Sequence, residues 1–155
     1  MTQWLKMLAV AGIVAITCSC KDQRVYDHFE HTSIDGWERN DTLSFNIPPM
    51  PEGDYLLNIG MRANVDYPYT KISVLMERTI YPSKKSHRDT IRCRLMEENG
   101  KMSGKQGISS SETRYEVSTI HLKDNDSLHI ILHHCMSKEH LPGISEVGIQ
   151  LVRKQ

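Results

Sequence analysis

The chain has 155 residues, 39% of them hydrophobic and 25% charged, which is enough for one domain with a real core. Its 19 Lys and Arg are balanced by 19 Asp and Glu. No basic surplus points to nucleic acid, and no acidic tail points to a disordered solvating segment.

The amino terminus departs from this composition. Thr2 to Lys6 is short with one positive charge, and Met7 to Ile16, MLAVAGIVAI, is uninterrupted and apolar. A run of 10 residues is too short to cross a bilayer as a helix, which needs about 20. It suits the apolar region of a secretory signal. Thr17, Cys18, Ser19 and Cys20 follow, and the polar KDQR begins only after Cys20. The pattern resembles a bacterial lipoprotein signal, in which the chain is cut immediately before a cysteine whose thiol carries lipid. Ser19 supplies the small residue before the cut, so Cys20 is the expected lipidation site; Thr17 stands where Leu is usual. A cleaved soluble-secretion signal is the alternative. Cleavage before Cys20 discards Cys18, which removes a Cys-x-Cys metal or redox pair. Acyl chains contribute roughly 0.8 kcal/mol per buried methylene, so two already anchor stably. No other apolar run is long enough to span a membrane.

Cys93 and Cys135 then face an oxidising compartment, where disulfides persist. They read as two buried free thiols, since a domain of this size needs no staple, or else as a bridge.

From Leu43 onward apolar residues recur with the period of two that marks strands. The rows are Leu43-Phe45-Ile47, Leu57-Ile59-Met61-Ala63, Ile72-Val74-Met76, Ile91-Cys93-Leu95, Leu128-Ile130-Leu132 and Val147-Ile149-Leu151. Turn signals separate them: Asp35-Gly36, PPMPEGD at 48–54, DYPYT at 66–70, Asn99-Gly100 and KDNDS at 123–127. Short strands with polar turns and no helical stripe predict an all-β fold, an antiparallel β-sandwich of about seven or eight strands. The Gly- and Ser-rich stretch 97–113 reads as a mobile loop. The expected organisation is a signal over 1–19, a lipid-anchored segment and linker over 20–30, and the sandwich over 31–155.

Eight histidines raise a metal hypothesis, above all in HIILHHCM at 129–136. On a helix His129 and His133 would share a face at zinc-site spacing. In a strand, four residues span about 13 Å, too far for one ion, so solvent-facing or loop histidines are expected and no metal or cofactor. Catalytic signatures are missing: no Gly-rich phosphate loop, no GxSxG, no HExxH. No catalytic residue is assigned and no enzyme activity is expected. Trp37 after Asp35-Gly36, and Tyr67-Pro68-Tyr69, belong at a turn or sheet edge, because proline removes a ladder hydrogen bond. Trp37, Tyr67 and Tyr69 form the candidate surface for a partner or a sugar ring. The alternative is that Trp37 caps one end of the core while Tyr67 and Tyr69 pack their loop.

With these segments in view, the chain resembles the gliding-motility lipoprotein GldH family of Bacteroidetes. The resemblance runs from SCKDQRVYD through Gly36-Trp37, DTLSFNI, DYLLNIGMRANVDYPYTKISVLME, Asp89-Thr90 and Asn99-Gly100-Lys101 to LPGISEVGIQL at 141–151. ANVDYPYTKI and LPGISEVGIQL are its specific parts. Met102 stands where family members tend to carry tryptophan, and HHCMSKEH is unusually rich in histidine. The resemblance implies a non-enzymatic accessory lipoprotein of the cell envelope. It would serve the gliding apparatus and its associated protein-secretion machinery, with other envelope proteins as partners and the membrane reached through the lipid. A glycan- or ligand-binding envelope lipoprotein is the rival.

Overall fold

The computed structural model describes residues 23–155. The expected signal over 1–19, with Cys18, and the expected lipid site Cys20 lie outside them. The order of elements is β1 (Arg24–His31), β2 (Trp37–Glu38), β3 (Leu43–Met50), β4 (Gly53–Ala63), β5 (Lys71–Tyr81), β6 (Lys85–Arg94), β7 (Lys105–Gln106), β8 (Ser111–Leu122), β9 (Asp126–His134), β10 (His140–Leu141) and β11 (Ile144–Arg153). One antiparallel sheet runs β1-β11-β4-β8-β7 and a second runs β3-β9-β5-β6; β10 and β2 form a small separate ribbon. The fold is the all-β sandwich that the alternation predicts.

The core follows from the alternation. Leu43, Phe45 and Ile47 from β3, Ile72, Val74 and Met76 from β5, and Leu128, Ile130 and Leu132 from β9 are all buried. They face Tyr55, Leu57, Ile59 and Met61 of β4 and Val147, Ile149 and Leu151 of β11, also buried. Each such side chain contributes roughly 1.5–3 kcal/mol by leaving water.

Three expectations need correction. Residues 24–30, expected within a linker, belong to the sheet. β1 pairs antiparallel with β11 from Arg24↔Val152 to His31↔Glu146, so the strand begins just after Gln23. The stretch 97–113, expected to be mobile, is largely hydrogen-bonded. Glu97 N–H donates to Lys101 O at 2.8 Å, Ser103 N–H donates to Leu95 O at 2.9 Å, and β7 pairs with the start of β8. Met102 is buried and anchors this hairpin. Cys93 and Cys135 are both free, Cys93 buried and Cys135 exposed, so only one of these two thiols is in the core. Burial pushes the Cys93 thiol up to about 12.

The registers separate two ends of the sandwich. At one lie Gln23, the turns 51–52, 82–84 and 123–125, and the segment after Arg153. At the other lie the longer connections 32–42, 64–70, 95–110 and 135–143. With 11 residues in β4, the two ends stand about 35 Å apart along a strand.

Candidate functional site: the loop end

The loop end is closed by the residues that the sequence offered as a surface. Trp37 and Tyr67 are completely buried, and Tyr69 is half-buried and packs against the core. The first two therefore cannot form a docking surface; they plug the end of the core. The alternative reading at the sequence level, a cap and a packed loop, is what the geometry bears out. Trp37 Nε1–H donates to Asp41 O at 3.0 Å, and Tyr67 O–H donates to Lys71 O at 2.9 Å. Each polar handle thus ties down its own loop. The Tyr67 and Tyr69 rings meet edge to face with centroids 5.6 Å apart. Burial, with smaller effects from Tyr69 and Cys93, raises the Tyr67 phenol well above its ordinary value.

His134 completes the plug, and sequence reasoning placed it in solvent. It is fully buried, with its ring edge-on to Trp37 at 5.3 Å. Its Nε2–H donates to Trp37 O at 3.1 Å, and its Nδ1 finds no hydrogen-bond partner among the described residues. The signal was present, since His134 falls in step with buried Leu128, Ile130 and Leu132 along β9. Burial lowers its pKa from 6.5, outweighing the upward pull of the Trp37 and Glu139 backbone; Arg39 and His133 add a smaller push downward. The native imidazole therefore stays neutral at a pH where the unfolded chain takes a proton. Its stabilising effect is complete above about 6.5 and falls as pH drops through that value towards the lower folded pKa. Between pH 7.5 and 5.5, wild type should lose more unfolding free energy than His134→Gln in urea melts. Equal losses would refute this.

Backbone geometry ties the connections together. β2 and β10 pair Trp37 with Leu141, Arg39 N–H donates to Glu139 O at 2.8 Å, and Asn64 N–H donates to Gly143 O at 2.8 Å. Gly36, at φ +123°, lies so close to Leu141 O that a Cβ would sit 2.6 Å from it.

Three large aliphatics reach solvent among the polar residues of this end. Ile34 is 103%, Val65 83% and Ile108 110% exposed. Ile34, Asn64, Asp66 and Pro142 line one shallow depression, and Asn64, Val65 and Ile108 line the next, so the two adjoin through Asn64. Nothing in the sequence marked these residues, because each is an isolated apolar residue within a polar loop.

The outer face of the larger sheet is a different kind of place. Arg62 donates to Glu112 at 3.0 Å and also to Glu146, while Arg114 reaches Asp27 at 3.0 Å and Glu112 at 2.8 Å. The Phe29 ring lies beneath both guanidiniums, 4.1 Å from Arg62 and 5.2 Å from Arg114. Burial raises the Glu112 carboxyl, but hydrogen bonds from Arg62 and Arg114 outweigh it and the net shift is downward. The charges of this network are paired with one another, and Glu112 and Arg114 border a shallow depression that Glu97, Gly104 and Lys105 also line. Among the described residues no three His, Cys, Asp or Glu side chains are placed to hold a metal. No helix there is long and apolar enough to cross a membrane.

Residues 24–151 match the family model described as GldH lipoprotein. The chain belongs to the GldH lipoprotein family. It is thereby an envelope lipoprotein, held to a membrane. No curated protein matches it. Among solved structures it is similar to a carbohydrate-binding module from Cellvibrio mixtus lichenase 5A in complex with cellotriose. The identity is 12%, the TM-score 0.40, and 85% of this chain and 90% of that one are covered. It is also similar to CBM35 from Cellvibrio japonicus Abf62, at 10% identity and TM-score 0.39 over 84% of this chain and 99% of that one. At such identities the likeness is one of sandwich outline and carries no ligand across.

Proposed function

We propose that this chain is a non-enzymatic accessory component of the gliding apparatus, or of its associated protein-secretion machinery. It is anchored by acylated Cys20 and acts through protein contacts made at the loop end. The observation that carries the reading is the trio Ile34, Val65 and Ile108, fully open to solvent on neighbouring loops at the end away from Gln23. Clustered exposed aliphatics with a polar rim are typical of contact surfaces. The rival reading, a glycan-binding surface on Trp37, Tyr67 and Tyr69, loses support because two of its three rings are buried.

The test is complementation in a host lacking its own copy. Ile34→Ser, Val65→Ser and Ile108→Ser combined should leave the melting temperature within about 2 °C, because surface substitutions change little. The same triple variant should abolish gliding or secretion. Full complementation would overturn the reading. In the same host Cys20→Ala should release the chain from membranes on a high-salt wash, and retention would overturn the anchor.

A further inference from the structure

The end of the sandwich nearest the anchor has a character of its own. β1 starts at Arg24, so acylation at Cys20 leaves only Lys21, Asp22 and Gln23 as tether, at most about 14 Å of chain. Whatever surface surrounds Gln23 is therefore held against lipid headgroups. The registers assemble that surface: Arg153 N–H donates to Gln23 O at 2.9 Å, Asn125 N–H donates to Met50 O at 2.9 Å, Gly53 pairs with Leu122 and Tyr81 with Ser127.

Lys84, Lys85, Lys123, Arg153 and Lys154 are all exposed here. Four carboxylates share this end, and two of them are engaged. Asp54 holds His121 at 2.8 Å, and buried Asp126 accepts the Lys123 amide at 2.9 Å, leaving Glu52 and Asp124. The exposed charged side chains here are five cations against Glu52, Asp54 and Asp124, a local excess of two in a chain that is neutral as a whole. Of the five large hydrophobics exposed among the described residues, the two outside the loop end are Val25, at 40%, and Tyr81, at 41%. Both sit here. Basic residues around an exposed tyrosine suit the interface of an anionic leaflet, where the ring lies at headgroup depth and each cation adds attraction.

We propose that this end is a membrane-docking face for anionic lipid, with Lys84, Lys85, Lys123, Arg153 and Lys154 meeting headgroups and Tyr81 entering the interface. The inference rests on the anchored reading and adds to it an orientation: the domain stands on this face with its loop end pointing away from the bilayer.

The test is amine acetylation of the acylated protein in vesicles of phosphatidylcholine alone or with phosphatidylglycerol added, read lysine by lysine by mass spectrometry. In phosphatidylglycerol vesicles Lys84, Lys85, Lys123 and Lys154 should react at least about fivefold more slowly, as expected for contacts near 1 kcal/mol each. Lys71, Lys101, Lys105 and Lys138 should react unchanged. Protection should vanish in 1 M salt, where the screening length falls to about 3 Å. Lys85→Glu with Lys123→Glu should remove it from Lys84 and Lys154. Equal reactivity in both vesicles, or protection of Lys71 and Lys138 instead, overturns the docking face and leaves the anchor intact. A chain that floats with neither vesicle overturns both.

Discussion

Gly143→Ala is expected to destabilise the domain by about 4 kcal/mol or more, a large share of the 5–15 kcal/mol such domains possess. Two effects add. Gly143 sits at φ +82°, and a Cβ there would lie 2.7 Å from Tyr67 Cα and 2.8 Å from the Asp66 carbonyl carbon. Left-handed strain alone costs on the order of 1–3 kcal/mol. The clash cannot be relieved by a side-chain rotation, because both atoms are backbone. The 64–67 segment would have to withdraw, losing the Asn64-to-Gly143 hydrogen bond and lifting buried Tyr67 from the core. Gly100 is the control. It has nearly the same torsion, φ +80°, but nothing within 4 Å of its Cβ position. Gly100→Ala should therefore cost only the strain. Urea melts of the two variants separate torsion from contact, and similar midpoints would refute the account.

Trp37→Ala should cost about 3–5 kcal/mol, the usual range for emptying a buried indole. The loss extends beyond volume. His134 would lose the ring it meets edge-on at 5.3 Å, and Asp41 O would lose its donor. Trp37→Phe keeps part of the volume and should recover roughly half of the loss. Circular dichroism melts measure both. A loss under about 1 kcal/mol for Trp37→Ala would mean that the end of the core closes without its plug. Trp4 is the other tryptophan, so in protein that begins at Cys20 the emission reports on this plug alone.

Legibility varied along the chain for identifiable reasons. β3, β4, β5, β9 and β11 announce themselves because each puts a row of aliphatics on one face. β8 does not, because its parity changes part-way. Leu57 pairs with Ser118 and Asn58 with Glu116, so Val117 is an extra residue. Ile120 and Leu122 point inward on one side of the bulge and Ser111 and Thr113 on the other. β1 hides because its main apolar residue faces outward: Phe29 lies over Gly60 and Gly148, where a Cβ would come within 2.8 and 2.7 Å of its ring. At the loop end, Asp35-Gly36-Trp37 and Tyr67-Pro68-Tyr69 marked turns correctly. A turn signal does not say whether the turn folds back over the core, and that decides between a surface and a plug. The exposed trio Ile34, Val65 and Ile108 required the assembled loops, since the three lie far apart in sequence.

The antiparallel pairing of β1 with β11 has a mechanical meaning. With the proposed anchor at Cys20, the membrane holds the first residues of β1, while any load taken up at the loop end pulls the rest of the domain the opposite way along the strand axis. The hydrogen bonds from Arg24↔Val152 to His31↔Glu146 run across that axis. They are therefore loaded in shear, all at once, and not peeled one after another from an end. A strand that looked like a linker is the part through which a lipid-anchored domain loaded at its loop end would bear tension.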